Sequence, residues 1–338
     1  MPLDVFTEAD ADLSALAGTT IAVVGFGNLG SSMAETLRDA GLTVVVGNRD
    51  DEYRERAVAA GFVVADVAAA VAQADVVYVL ISDEATPGCF QAHIAPGLRA
   101  GSALCFASGY CLAFGLVAPP DDVDVLLLAP RMVGSAVHRA TTAGSGYVAY
   151  VSVERDVSGA ATERLLALAL AAGALKRGAF VVSAADEAAI DLLVEQTVGP
   201  YLGLAVQLAF EVGVEGGLAP EAMVLELYQS GEMAETFRSF AERGFYRSVG
   251  DHGVTAQYGG YLRTLDLDGE AMRRQFRAVL ADIRGGGFAR RLQSEGNDGY
   301  PALALIEAIT AGDDPMSRAE SAVEAALAKA TINPTAPE

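Results

Sequence analysis

The stretch IAVVGFGNLGSSMAETLRDAG, residues 21 to 41, sets three glycines, Gly25, Gly27 and Gly30, between an apolar run of strand character and a helical run. A G-x-G-x-x-G turn in that position lets the chain reverse tightly, brings backbone close to a pyrophosphate and aims helix N-terminal amides at the anion. The spacing therefore predicts a first βαβ unit with Gly25, Phe26, Gly27, Asn28, Leu29 and Gly30 against a dinucleotide.

The pattern continues. LTVVVGN, DVVYVLIS, ALCFAS, VDVLLLAP, YVAYVSV and AFVVSA follow as short β-branched or apolar runs separated by helical stretches. Most are apolar on both faces, as buried parallel strands must be. The expected fold is α/β, a Rossmann-like doubly wound parallel sheet over residues 1–183. From 184 the apolar residues recur at three and four, which predicts an all-helical domain over 184–329. The Pro- and Thr-containing residues 330–338 are expected to form a flexible tail.

The second strand runs into GNRDDEYRERA, about twenty residues past the fingerprint, where the adenine ribose belongs. Asp50, Asp51 and Glu52 repel a 2′-phosphate and favour NADH over NADPH, whereas Arg49 can stack on adenine or pair with a phosphate. Solvent-facing charges at the start of a helix account for the same acids.

The formal net charge of −21 argues against nucleic acid or an anionic membrane as partner, since both reward Lys and Arg. No run of ~20 uninterrupted apolar residues occurs, and the acidic start lacks the features of a signal peptide. A cytoplasmic, soluble protein is expected. Cys89, Cys105 and Cys111 are odd in number and show no CxxC spacing, which reads as buried small residues rather than disulfides or a zinc site.

The run AAIDLLVEQTVG then presents a puzzle, because on a helix Asp191 and Glu195 stack one turn apart. Like charges so placed lie on a solvated face or hold a hard cation. Mg²⁺ takes oxygen ligands, often only one or two carboxylates, and fills its octahedron with water and substrate.

A fingerprint domain followed by a helical domain opening with D-x-x-x-E resembles the ketol-acid reductoisomerases of branched-chain amino acid synthesis, in their short, class I form. The likeness runs in order through DLSALAGTTIAVVGFG, ADVVYVLISDE, FASGYCLAFG, VDVLLLAPRMVG, IDLLVEQ, TAQYGGY and GGGFARRLQSE. It implies an NAD(P)H- and Mg²⁺-dependent enzyme that shifts an alkyl group within a 2-hydroxy-2-alkyl-3-keto acid and reduces the product. It also implies a knotted helical domain and a homodimer with interdigitated helical domains. Asn48, Arg49, Asp51, Asp83, Glu84 and Gly134 join the glycine turn as cofactor contacts, and Asp191 and Glu195 become metal ligands.

Three departures fall on the chemistry. The family's FAHG histidine becomes Ser108, its APKG lysine becomes Arg131, and a substrate-holding serine becomes Gly253, next to His252. The resemblance places Ser108 and Arg131, with Asp191 and Glu195, at the catalytic centre, and His252 and Gly253 at the substrate. The family's second acid pair, four apart, is replaced by Glu226 and Glu232, six apart, with Tyr228 between them. A regular helix would turn one carboxylate roughly 200° from the other, and a bulge or break at Ser230-Gly231 would restore convergence. Three readings follow: a working reductoisomerase, a derived enzyme that performs only reduction or only rearrangement, and a non-catalytic nucleotide-binding homologue.

Overall fold

Ile21, Ala22, Val23 and Val24 are fully buried because their strand lies inside a sheet covered on both faces. In this computed structural model, residues 3–310 and 314–332 are described. Among them the sheet has nine strands: β1 (Val5–Phe6), β2 (Thr20–Val24), β3 (Thr43–Gly47), β4 (Val63–Ala65), β5 (Val76–Val79), β6 (Ala103–Phe106), β7 (Asp124–Pro130), β8 (Ala149–Arg155) and β9 (Ala179–Val181). Their order is β1-β9-β8-β7-β6-β5-β2-β3-β4.

From β7 through β6, β5, β2 and β3 to β4 every pairing is parallel. β8 pairs antiparallel with β7, and β1 antiparallel with β9, so the doubly wound sheet is mixed at one end. The apolar runs became strands as expected, and β1 and β4 add two short strands at the sheet's edges.

Two compact units divide the chain between Asp191 and Leu192. The first holds the sheet and the opening turns of the helix Ala184–Gln196, whose Ala184, Ala188 and Ala189 are buried. It therefore extends past residue 183, where the strand signal stops.

The second unit is helical. Phe210, Val224 and Ala319 form a small buried cluster with Met223, Leu227, Tyr228 and Met316 packed around it. The helix Val198–Glu215 buries Phe210 yet exposes Val198, Leu202, Leu204, Leu208 and Val212. By length and hydropathy, residues 184–215 would suffice to cross a membrane, although Asp, Glu and Gln interrupt every apolar run. The helix Pro315–Ile332 includes the first three residues of the expected tail, and 333–338 lie outside the described residues.

Candidate active site and cofactor cleft

β2 has β3 on one side and β5 on the other, so the sheet's direction of winding reverses beside it. A doubly wound sheet takes its ligand in the crevice at such a point. The glycine turn stands there. Gly25 has φ +97, and a Cβ on it would come within 2.8 Å of the Leu80 carbonyl oxygen. A Cβ on Gly30 would lie 2.1 Å from the Gly25 carbonyl oxygen. The Cβ position of Gly27 meets no atom within 4 Å, and Gly27 lines a cleft of about 940 Å³.

The neighbours of these glycines divide by role. The Phe26 ring is buried against Phe62, and its amide donates to Asn48 Oδ1 at 3.1 Å. Asn28 begins the helix Asn28–Asp39 and is exposed. Leu29 lines a second, smaller cavity of about 260 Å³. Gly134 packs on Leu29 so closely that a Cβ would lie 2.9 Å from the leucine's own. Its visible contribution is that close approach.

At the other end of the cleft, Asn48 Nδ2 donates to Asp51 Oδ1 at 2.7 Å. Asp51 caps the helix Glu52–Ala59 by accepting from the amides of Tyr53 and Arg54. Its second oxygen accepts from Arg49 Nε at 2.6 Å. The Arg49 bond, with those two amides, outweighs the cost of burial and holds the Asp51 carboxyl below its usual pKa. Asp51 is thus a structural cap as well as a charge in the cleft, and Arg49 leaves most of its side chain in solvent. Glu84 lines the same cleft and accepts from the Ser82 hydroxyl.

The two cavities share Leu80, Ile81 and Ser82, so the smaller one continues the cleft. Asp83, Ser108 and Cys111 line it. The Ser108 hydroxyl donates to Asp83 Oδ2 at 3.3 Å and accepts from the Tyr110 amide at 3.2 Å. Burial, reinforced by Asp83, pushes the Cys111 thiol up to about 12, so it stays protonated near neutral pH.

Next to Ser108, the Gly109 amide donates to Glu187 Oε2 at 2.7 Å. The other Glu187 oxygen accepts from Arg131 Nη1 at 2.8 Å, while Arg131 Nη2 donates to Asp191. Burial raises the Glu187 pKa against the pull of Gly109 and Arg131. Burial also opposes the charge on Arg131, but Asp191 and Glu187 overcome it and the guanidinium stays protonated. The Arg131 side chain lies over the Tyr150 ring at 5.1 Å, and its amide donates to the Val148 carbonyl.

Arg131, Asp191 and the Gly109 amide therefore belong to one hydrogen-bonded array whose centre, Glu187, had not been singled out, and Ser108 adjoins it only along the chain, through Gly109. Its signal lay in the sequence: Glu187 precedes Asp191 by the same four residues that separate Asp191 from Glu195. Glu195 is exposed, one turn further on. Among the described residues, no three His, Cys, Asp or Glu side chains gather as a metal site.

In the second unit, Glu226 stands exposed on a π-helical turn, Leu225–Gln229. Gly231 then takes φ +86, and Glu232 begins the helix Glu232–Arg243. The helix is thus interrupted between Glu226 and Glu232. Tyr228 donates to Glu320, so its hydroxyl already has an acidic partner. His252 is exposed and lines a cavity with Val249 and Gln257, and Gly253 is the N-cap of the helix Val254–Asp266.

Residues 15–178 match the acetohydroxy acid isomeroreductase NADPH-binding domain, and residues 185–328 match the ketol-acid reductoisomerase C-terminal domain. The chain belongs to the ketol-acid reductoisomerase family. A protein of Saccharolobus solfataricus assigned to the same family is 40% identical over 304 residues, covering 88% of this chain and 90% of its own. The ketol-acid reductoisomerase (NADP(+)) of Pyrobaculum arsenaticum is 37% identical over 305 residues, 89% of this chain and 92% of that protein. The solved NADH-preferring ketol-acid reductoisomerase from an uncultured archean matches with a TM-score of 0.90 at 30% identity, covering 95% of this chain and 98% of that one. The array around Glu187 thus lies in a nicotinamide-dependent oxidoreductase of the reductoisomerase family.

Proposed function

We propose that this family member is a working ketol-acid reductoisomerase acting on a 2-hydroxy-2-alkyl-3-keto acid of the acetolactate type. The observation that carries this reading is that Gly109, Glu187, Arg131 and Asp191 form one array beginning at the residue after Ser108, and that the Ser108 cavity continues the cofactor cleft. A keto acid in that cavity would meet the Ser108 hydroxyl, and we assign Arg131, held by the Glu187 array beyond the cavity wall, as the cation that reaches it. Arg131 neutralises the substrate carboxylate or the oxyanion formed as the alkyl group leaves, and Ser108 donates to a substrate oxygen. In this structure Asp83 accepts the single Ser108 proton, so donation to substrate requires that hydroxyl to turn from Asp83 to the substrate oxygen.

Asp191 and Glu195, one turn apart on a helix, supply an all-oxygen, two-carboxylate donor set that fits Mg²⁺. Glu226 and Glu232 are the candidates to complete a second metal position. When bound, Mg²⁺ would act as a Lewis acid on the substrate oxygens during migration. His252 and Gly253 are assigned to the substrate by family position.

We further assign a preference for NADH over NADPH to Asp51, whose charge faces the place of the ribose. The exposed apolar face of Val198–Glu215 is assigned to a second copy of the chain rather than to lipid, in a cytoplasmic homodimer. Light scattering after gel filtration without detergent would give twice the chain mass, and detergent-dependent recovery would count against it.

The test of activity follows absorbance at 340 nm with NADH or NADPH and Mg²⁺, offering 2-acetolactate in one assay and 3-hydroxy-3-methyl-2-ketobutyrate in another. Oxidation with both substrates supports the full reaction. Ser108 in place of an imidazole favours a second reading, a reductase without migration, which would oxidise cofactor with the second substrate alone. Silence in both retires the proposal.

A further inference from the structure

Only 2% of the Glu187 surface is exposed, although a carboxylate kept from water needs donors to replace its hydration. It has two, from separate loops: the Gly109 amide after β6 and the Arg131 guanidinium after β7. Both approaches are tight. A Cβ on Gly109 would lie 2.0 Å from the Ala184 carbonyl oxygen, so only glycine lets this turn press on the start of the Ala184–Gln196 helix. The Ser108 hydroxyl, bonded to the Tyr110 amide, moves with that turn.

The two carboxylates that hold Arg131 are unlike. The Glu187 side chain is 3% exposed and that of Asp191 40%. A half-exposed ion pair exchanges partners readily, whereas a buried one is strongly destabilising to break. The arginine fork reaches both acids through separate nitrogens, which the single ammonium of a lysine does less well.

We propose that Glu187 is a positioning residue for the reductoisomerase reaction: by joining the Gly109 amide to the Arg131 guanidinium, it sets the distance between the Ser108 hydroxyl and the cation that together grip the keto acid. This rests on the reading of Ser108 and Arg131 as substrate contacts. Glu187 touches no substrate itself, and it keeps Arg131 in place when Asp191 turns to another cation.

Glu187→Gln tests this without changing volume. The amide carries one acceptor and one donor, so whichever way it turns it meets either Gly109 or Arg131 with an N–H. Displacing a reacting group by about an ångström costs on the order of 100-fold, and kcat/KM should fall by that factor. Cofactor dissociation constants should stay within about twofold, because Glu187 is absent from the cleft walls. Glu187→Asp, which keeps the charge on a shorter arm, should recover part of the loss.

In an Arg131→Lys background, Glu187→Gln should cost no more than about a tenth of its wild-type effect, since residues acting through one another are non-additive. Full activity in Glu187→Gln, losses that multiply with Arg131→Lys, or an equal fall in cofactor affinity would each overturn the proposal. Guanidinium nitrogen NMR separates this from the functional reading. The signal lost in Arg131→Lys should show hindered rotation in the wild type and averaged rotation in Glu187→Gln. Free rotation in the wild type overturns the clamp, whereas a held guanidinium in a wild type without keto-acid turnover supports the clamp and overturns the reductoisomerase reading.

Discussion

Arg131 donates to Asp191, so the acid that the D-x-x-x-E pattern offers to a divalent cation is already paired with a cation of the protein. The two cations compete for one carboxylate. Removing Arg131 should therefore tighten Mg²⁺ binding. In Arg131→Met we expect about tenfold higher Mg²⁺ affinity by calorimetry, equivalent to about 1.4 kcal/mol, together with loss of turnover. Unchanged affinity would show that Mg²⁺ does not use Asp191.

Asp191→Asn removes the charge that both cations share. Turnover of acetolactate should fall at least ~100-fold while NADH affinity is unchanged, since the residue is no part of the cleft. Steady-state kinetics beside fluorescence titration of NADH would measure both.

Two of the fingerprint glycines, Gly30 and Gly27, should fail differently. In Gly30→Ala the new methyl meets the Gly25 carbonyl, and overpacking of this kind costs about 1–3 kcal/mol, visible as a lower Tm. Gly27→Ala meets no protein atom, so Tm should hold while cofactor affinity drops about tenfold or more. Equal loss of Tm in both would contradict the assignment of Gly27 to the pyrophosphate.

Asp51→Asn separates cap from charge, because asparagine caps a helix about as well as aspartate. Tm should fall only modestly at neutral pH, through loss of the exposed Arg49 pair, while the cap is kept. The ratio of NADPH to NADH affinity should rise about tenfold as the repulsion of the 2′-phosphate goes, and fluorescence titrations with the two cofactors would read it.

Asp124 is fully buried beneath Ser158 and Arg164. Burial opposes its ionisation, but the Ser158 hydroxyl and amide, the Val157 amide and Arg164 outweigh it and lower its pKa. A carboxyl depressed in the folded state adds stability that is present above its unfolded pKa, near 4, and disappears as pH falls through the folded value. The Tm gap between wild type and Asp124→Asn should thus be wide at pH 7 and narrow below about pH 4. A gap independent of pH would remove the charge from the explanation.

The glycine turn and the principal apolar strands were legible because each obeys a local rule of spacing or burial. β1, with two residues, and β4, with three, carry too few side chains for alternation to register and exist through their neighbours. The antiparallel turn of β8 escaped for a related reason: YVAYVSV is apolar whichever way it runs. Asp191 and Glu195 stood out as an anomaly on an apolar helix. Glu187 did not, because DEAA reads as an ordinary acidic first turn until the fold brings Gly109 and Arg131 to it. Asp51 shows the converse, a residue read as a ligand contact that is also a cap.

The π-helical turn at Leu225–Gln229 closes with the Ser230 amide donating to the Leu225 carbonyl five residues back, and Gly231 restarts the helix. Such a turn absorbs an inserted residue locally. Val224 before it is buried in a cluster against which Leu227 and Tyr228 of the turn itself also pack. An insertion or deletion there would change which side chain is offered outward at exposed Glu226 and would also shift Leu227 and Tyr228, which face inward to the cluster and to Glu320. Substitution at exposed Glu226 is therefore the change this segment accepts most easily, whereas a change of spacing asks Leu227 and Tyr228 to repack.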